Sequence, residues 1–171
     1  MTVQIFDNLV SYNDMQQIYE FVCKSNYQLG WSDLTHEKFT PNIHSDWSKE
    51  DVKKSKLFTH LKRLDDTKLH LNIDDNFYKC IVNFSKSSDY YFCHTHPNQI
   101  VILYYVNLEW KDGFGGETML YNEKLTDVVN AISFVPGRIA VFDGEIPHTI
   151  RAQSSYGADY RFTISYFVKK A

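Results

Sequence analysis

Apolar and polar positions change their period once along this chain, near residue 76. Upstream, Met15, Ile18, Tyr19, Phe21 and Val22 recur at helical spacing behind Ser11, whose hydroxyl suits an N-cap, so the spacing predicts a helix over 11–24. Ser48 with Asp51 three residues on, followed by Val52, Leu57, Phe58, Leu61 and Leu64, predicts a second amphipathic helix from 48 to about 65. Between them, residues 27–47 carry Trp31 and Trp47 with little periodicity, and a connection of that length is expected to be a binding loop or a lid.

Downstream of 76 the chain breaks into short β-rich runs: FYKCIVNF, DYYFCHTH, QIVILYYVN, ETMLY, NAISFV, RIAVF, HTIRA and RFTISYFV. Several are separated by turn residues, among them Ser85-Lys86-Ser87-Ser88, Gly113-Phe114-Gly115-Gly116, Pro136-Gly137 and Asp143-Gly144. Such a succession of short strands predicts an antiparallel sandwich or barrel of jelly-roll type, with the helices covering one outer face. The fold class expected is α+β. No repeat, low-complexity tract or linker divides the chain, so 1–171 is read as one domain, 1–76 being helical support and loop and 77–171 the jelly-roll core.

Composition narrows the picture. A chain of 171 residues buries roughly 70% of its extended surface, enough for a core with an enclosed site. Cys23, Cys80 and Cys93 are odd in number and form no CxxC pair, which argues against a disulfide framework or a zinc ribbon and for a reducing compartment. With no leader-like N-terminus and no apolar stretch of about 18 residues, a soluble, cytoplasmic protein with no membrane partner is expected. The richness in Lys, Asn, Ile, Tyr and Phe is that of an AT-rich genome, such as a virus acting in the host cytoplasm or a streamlined bacterium. A net charge of −3 argues against a nucleic-acid partner held by phosphate neutralisation; Lys49, Lys53, Lys54 and Lys56, interrupted by Glu50 and Asp51, read as a solvated helix face.

Histidine placement supplies the candidate chemistry. Of seven histidines, His36, His44, His60 and His70 have no partner at a metal-ligand interval and are taken as surface or core residues. His94 and His96, in CHTHP, point to one face of an extended chain, and His148 opens a later run directly after Pro147. Three neutral imidazoles would suit iron, copper, nickel or zinc. Spacing alone leaves two readings open, a metal clamp and a pair of surface imidazoles ahead of a proline.

Read together, HTHPNQIVILYYVNLEW, GFGGETMLY, PGRIAVFDGEIPHTI and YRFTISYF resemble the iron(II)/2-oxoglutarate-dependent dioxygenases, prolyl 4-hydroxylase-like group, over residues 77–168. The family's order of an H-x-D metal pair, a strand ending in YLN-x-x-W, a GGE turn, a P-x-x-G-R-x-x-x-F strand, a distal histidine and a basic residue is followed here. The resemblance implies a double-stranded β-helix. It makes His94 and His148 metal ligands and Arg161 the partner of the 2-oxoglutarate C5 carboxylate, a role that suits a planar guanidinium. Thr163, two residues on along the same face, would donate to that carboxylate, and Tyr105 matches a tyrosine that closes the pocket. Arg151, nearer His148, is the rival to Arg161, and each of these residues also reads as an ordinary strand residue.

One position departs from the family. His96 stands where the family has its metal carboxylate, so the facial triad would become three histidines, one negative charge short. Three readings follow: His96 is itself the third ligand, which is favoured; Asp143 or Glu145 reaches the metal instead; or oxygenase activity has been lost. The resemblance further implies Fe(II), 2-oxoglutarate and O2, with ascorbate as a further cofactor, and hydroxylation of a prolyl residue whose ring packs on Trp31, Trp47 or Tyr91. The alternatives are the same chemistry on a small metabolite, a free amino acid or an alkylated base, and a non-catalytic jelly-roll module holding a structural metal.

Overall fold

The computed structural model describes residues 3–33, 38–87, 89 and 91–170, with the backbone alone described at 31–33 and 38–41. Strand β1 (Gln4–Phe6) leads into helix α1 (Tyr12–Cys23), whose Ser11 hydroxyl accepts a bond from the Asp14 N–H at 3.2 Å. Strands β2 (Gln28–Asp33) and β3 (Lys38–Trp47) pair as an antiparallel hairpin. Helix α2 (Lys49–Lys54) starts with the expected capping box between Ser48 and Asp51, and α3 (Lys56–Leu64) ends in a π-helical turn, Asp65–Leu69. The strands β4 (Phe77–Ser85), β5 (Gln99–Tyr105), β6 (Thr118–Tyr121), β7 (Val128–Ile132), β8 (Ile139–Asp143), β9 (His148–Ile150) and β10 (Arg161–Lys169) complete an α+β chain.

Two antiparallel sheets form the jelly roll, a seven-stranded one in the order β1-β8-β5-β10-β4-β3-β2 and a three-stranded one, β7-β6-β9. Period-two alternation divides the core between two interfaces. Facing the helices are Cys80, Val82, Ile102, Tyr104, Ile164 and Tyr166, packed with Ile18, Val22, Leu57 and Leu61. Facing the small sheet are Ile81, Val101, Leu103 and Phe142, packed with Leu120, Ile132 and Phe134. The N-terminal helices therefore cover one face of the large sheet. No helix among the described residues is long and apolar enough to cross a membrane.

Four expectations change. In the stretch expected to be a loop, β2 and β3 extend the large sheet beyond β4, because β3 finds a free strand edge and pairs with it from Ile43 to Trp47. The single helix expected over 48–65 is broken at Ser55, whose extended backbone (φ −73°, ψ 142°) lets α3 start in a new direction. Among its described residues DYYFCHTH forms no strand; His94 makes an isolated bridge with His148. Trp47, a proposed platform for a proline ring, lies in the core under the helices, edge-on to Phe21 at 5.0 Å, with its N–H donated to Ser25. His36 and the Trp31 side chain lie outside the described residues.

The turn from α3 into β4 depends on one buried carboxylate. Asp65 is 2% exposed and accepts from the Leu71 N–H (2.6 Å) and the Ile73 N–H (3.0 Å), with His70 at φ 55° reversing the chain between them. Asp65→Ala leaves two main-chain donors unsatisfied and is expected to cost about 2–4 kcal/mol in urea unfolding, with Asp65→Asn recovering roughly half. A loss below about 0.5 kcal/mol would show that water replaces the carboxylate.

Candidate metal centre and its cavity

Strand β10 is buried on both faces, and its inner face is largely polar. Phe162, Ile164, Tyr166 and Val168 go to the helix-side core, whereas Arg161, Thr163, Ser165 and Phe167 line a cavity of about 90 Å³ between the sheets. That is space for several waters, or for one small dicarboxylate. Arg161 marks one end of this row. Phe167 marks the other, with its ring 4.6 Å from the His96 ring.

His94, His96 and His148 meet at the Phe167 end. Their ligand nitrogens lie within 4.8 Å of one another, and the ring centroids are 4.6–5.2 Å apart. The His94 and His148 main chains exchange two hydrogen bonds of 3.0 Å, which ties the segment after β4 to β9. Each ring is then oriented through Nδ1, whose N–H donates to a carbonyl two residues back: Phe92 at 3.0 Å for His94 and Ile146 at 2.7 Å for His148. That fixes the tautomer and puts the ring lone pair on Nε2, the form in which imidazole binds a metal. His96 is placed through its backbone, its N–H donating to the Gly144 carbonyl at 2.6 Å. The approach is so close that a β-carbon on Gly144 would meet the His96 oxygen at 2.5 Å, which is why Asp143 is followed by glycine.

Burial sets the protonation of two rings. His96 is pushed down to about 2 and His148 to about 3, desolvation being the larger cause and repulsion from neighbouring His94 the next. Both stay neutral as bases at neutral pH. Among the described residues this histidine trio is the cluster able to hold a metal ion, and the donor set, three imidazoles with open cavity beside them, suits Fe(II) with exchangeable positions.

Arg161 is fully buried and has no ion-pair partner among the described residues, although the Glu117 carboxylate is near enough to favour its charged form. Its Nε–H donates to the Gly116 carbonyl at 3.0 Å and Nη1 to the Thr163 hydroxyl at 3.4 Å, the faces of Tyr105 and Phe134 lie 5.7 and 5.2 Å from Cζ, and Nη2 has no partner. Desolvation pulls its pKa below the ordinary value. Gly116 makes this possible twice over: its φ is +79°, and a β-carbon there would stand 3.2 Å from the Arg161 side chain. The rival Arg151 is 64% exposed and touches Glu117 at 3.5 Å.

Other expected site residues fall elsewhere. Tyr105 stands behind the cavity wall, its hydroxyl paired with Thr118 at 2.8 Å, and Thr118 and Tyr91 line the space itself. Asp143 and Glu145 are held by Lys170 at 2.7 and 3.0 Å and lie outside the histidine cluster. Sequence reasoning missed His44 and Asn42, which line the cavity from β3. The signal was present as N-x-H-x-D at 42, 44 and 46, polar with period two, but it needed a strand to have meaning. Across the sheet, Gln28, His44, Asn83, Thr163 and Tyr105 lie opposite one another on β2, β3, β4, β10 and β5.

Neither a family model nor a curated protein sequence matches this chain. Solved structures do. A prolyl hydroxylase from Trichoplax adhaerens, in complex with a hypoxia inducible factor oxygen degradation domain peptide fragment, is 16% identical, with 98% of this chain and 83% of that one covered at a TM-score of 0.70. A 2OG-Fe(II) oxygenase family oxidoreductase from Burkholderia pseudomallei (12% identity, 99% and 85% covered) gives 0.68. A Pseudomonas putida prolyl-4-hydroxylase (12%, 99% and 92%) gives 0.67. This chain has the fold of the 2OG-Fe(II) oxygenases. Within that oxygenase fold the histidine cluster and Arg161 occupy one cavity.

The lowered histidine pKa values predict acid sensitivity of the metal-free protein. Unfolded imidazoles take up protons near 6.5, whereas folded His96 and His148 do so only near 2 and 3, so the unfolded state binds more protons throughout that interval and stability falls as pH drops below about 6.5. Each ring contributes up to about 1.4 kcal/mol per pH unit. Urea unfolding at pH 7, 6 and 5 should show this decline, and His96→Gln should reduce its slope; an unchanged slope would mean that His96 is solvated when the metal is absent.

Proposed function

We propose that this protein is an iron(II)- and 2-oxoglutarate-dependent oxygenase that hydroxylates a prolyl residue of a peptide or protein, with ascorbate maintaining the reduced metal. The observation that carries the reading is the buried Arg161 guanidinium with an unpartnered Nη2, in the same cavity as three convergent imidazoles. A buried cation without a directly paired carboxylate is costly, and a carboxylate entering the cavity to meet Nη2 offsets that cost. A binding module holding a structural metal would have no use for the cation, so this second reading is the weaker. The peptide substrate is supported by the likeness to a prolyl hydroxylase solved with a peptide fragment.

His94, His96 and His148 would hold the iron, their rings set by the carbonyls of Phe92 and Ile146 and by the Gly144 contact. Bound there, iron(II) supplies O2 activation, coupled to oxidative decarboxylation of 2-oxoglutarate to succinate and CO2 and to insertion of one oxygen atom into a C–H bond. Arg161 would take the distal carboxylate through Nη2, and the Thr163 hydroxyl would donate to it. Val101, Leu103 and Phe142 line the same cavity and limit water access. With His96 in place of an anion, the site keeps one more unit of positive charge than the family's usual triad, which favours anionic ligands at the metal.

Anaerobic titrations of iron(II) and 2-oxoglutarate, with succinate formation in air, test these roles. Arg161→Ala should weaken 2-oxoglutarate binding by about 2–5 kcal/mol and leave iron binding within a few-fold, because it removes a buried charge-assisted contact and no metal ligand. Equal loss of both affinities would assign Arg161 to the fold.

The same titrations address the departure at position 96. His96→Ala should lower iron(II) affinity by about 100-fold or more, and His96→Asp should recover much of it by restoring an anionic ligand, less whatever the shorter side chain costs. Iron binding unchanged in His96→Ala would remove His96 from the ligand set.

A further inference from the structure

The cavity has a second polar wall that neither the metal cluster nor Arg161 uses. Asn42 and His44 project from one face of β3, and the Asn42 Oδ1 and His44 Nδ1 atoms are buried without a hydrogen-bond partner among the described residues. His44 is only 8% exposed. Its ring has a definite polarity, set by Gln28. The Gln28 amide nitrogen lies 2.9 Å from His44 Nε2 and 2.9 Å from Asp46 Oδ2; an amide oxygen facing that carboxylate would be repelled, so the NH2 group donates to both. His44 Nε2 is therefore an acceptor, and the remaining ring proton sits on Nδ1 as an unused donor.

This wall is electrically unlike the Arg161 end. It presents a neutral N–H and a carboxamide, with the Asp46 carboxylate 3.6 Å from the His44 ring, so it disfavours an anion. Leaving a buried donor and a buried acceptor unsatisfied is costly, and both are satisfied by one uncharged group that accepts and donates, an amide. Residues 42 and 44 are two apart on a strand, roughly 7 Å along it, which leaves room between their side chains for a single trans amide, its N–H turned to Asn42 and its C=O to His44.

We propose that Asn42 and His44 hold a main-chain amide of the peptide substrate and make β3 a specificity-determining wall, an inference that rests on the oxygenase reading for the identity of the peptide as substrate. The probe is N-acetylproline methylamide, titrated into 15N-labelled protein with and without iron(II) and 2-oxoglutarate, against acetate as an anionic control. Ring 15N spectra should place the His44 proton on Nδ1, and those resonances should shift with the amide and not with acetate. His44→Phe should weaken amide binding about 10-fold or more, His44→Gln, which keeps an N–H, should stay within about 3-fold of wild type, and 2-oxoglutarate affinity should stay within about 2-fold in both. A proton on Nε2, acetate binding at His44, no amide binding, or equal amide affinity in His44→Phe overturns the proposal. Amide binding lost while iron and 2-oxoglutarate still bind removes this wall alone; amide binding retained when neither binds removes the oxygenase reading and leaves the wall.

Discussion

Arg161 carries its charge into a position with no solvent exposure, and much of the surrounding architecture is what a chain needs in order to tolerate it. One N–H goes to a carbonyl that only a left-handed glycine, Gly116, can bring so near; another goes to Thr163; two aromatic faces take up part of the remaining charge; and Nη2 is left over. Such an arrangement is poor as a stability device, since replacing buried charges with apolar groups commonly stabilises a protein. It suits the proposed role of receptor, in which the last contact would come from the bound anion.

That receptor requires a strand that is apolar on one side and polar on the other while buried on both. β10 has this character, and it can occupy the middle of the large sheet because β5 and β4 satisfy its backbone on either edge and α1 and α3 cover its outer face. The hairpin β2–β3 then adds a wall beyond β4. Asn42 and His44 of β3 face the cavity, His44 lies in the row that runs by register from Gln28 to Tyr105, and Trp47 anchors the opposite face among the helices.

At the other end of the cavity the chain builds a point of convergence from unlike supports. His148 stands on a short strand, His94 on a single bridge to it, and His96 on a contact with Gly144 that tolerates no β-carbon. Partly withdrawing three imidazoles from water, with the Nδ1 protons of His94 and His148 committed to carbonyls, is what a borderline dication requires of its ligands. With His96 among them the proposed metal keeps its full double charge, which strengthens its pull on the acidic end of a keto acid.

The histidine pair, the order of the motifs and the alternation of RFTISYFV were local in the sequence, and they determined by themselves the jelly-roll class, the helices on one face and the candidacy of His94, His96, His148, Arg161 and Thr163. A run such as DYYFCHTH has β propensity as strong as its neighbours, yet only tertiary structure decided that it would pair at one residue, because pairing depends on which edge lies alongside. The same holds for β3: without the free edge of β4, Asn42 and His44 are two polar residues in an aperiodic stretch, and with it they become a wall. Burial separated Arg161 from Arg151, and Lys170 withdrew Asp143 and Glu145 from the metal question, choices that sequence spacing could not make because they depend on side chains more than 20 positions apart or on how far each is removed from water.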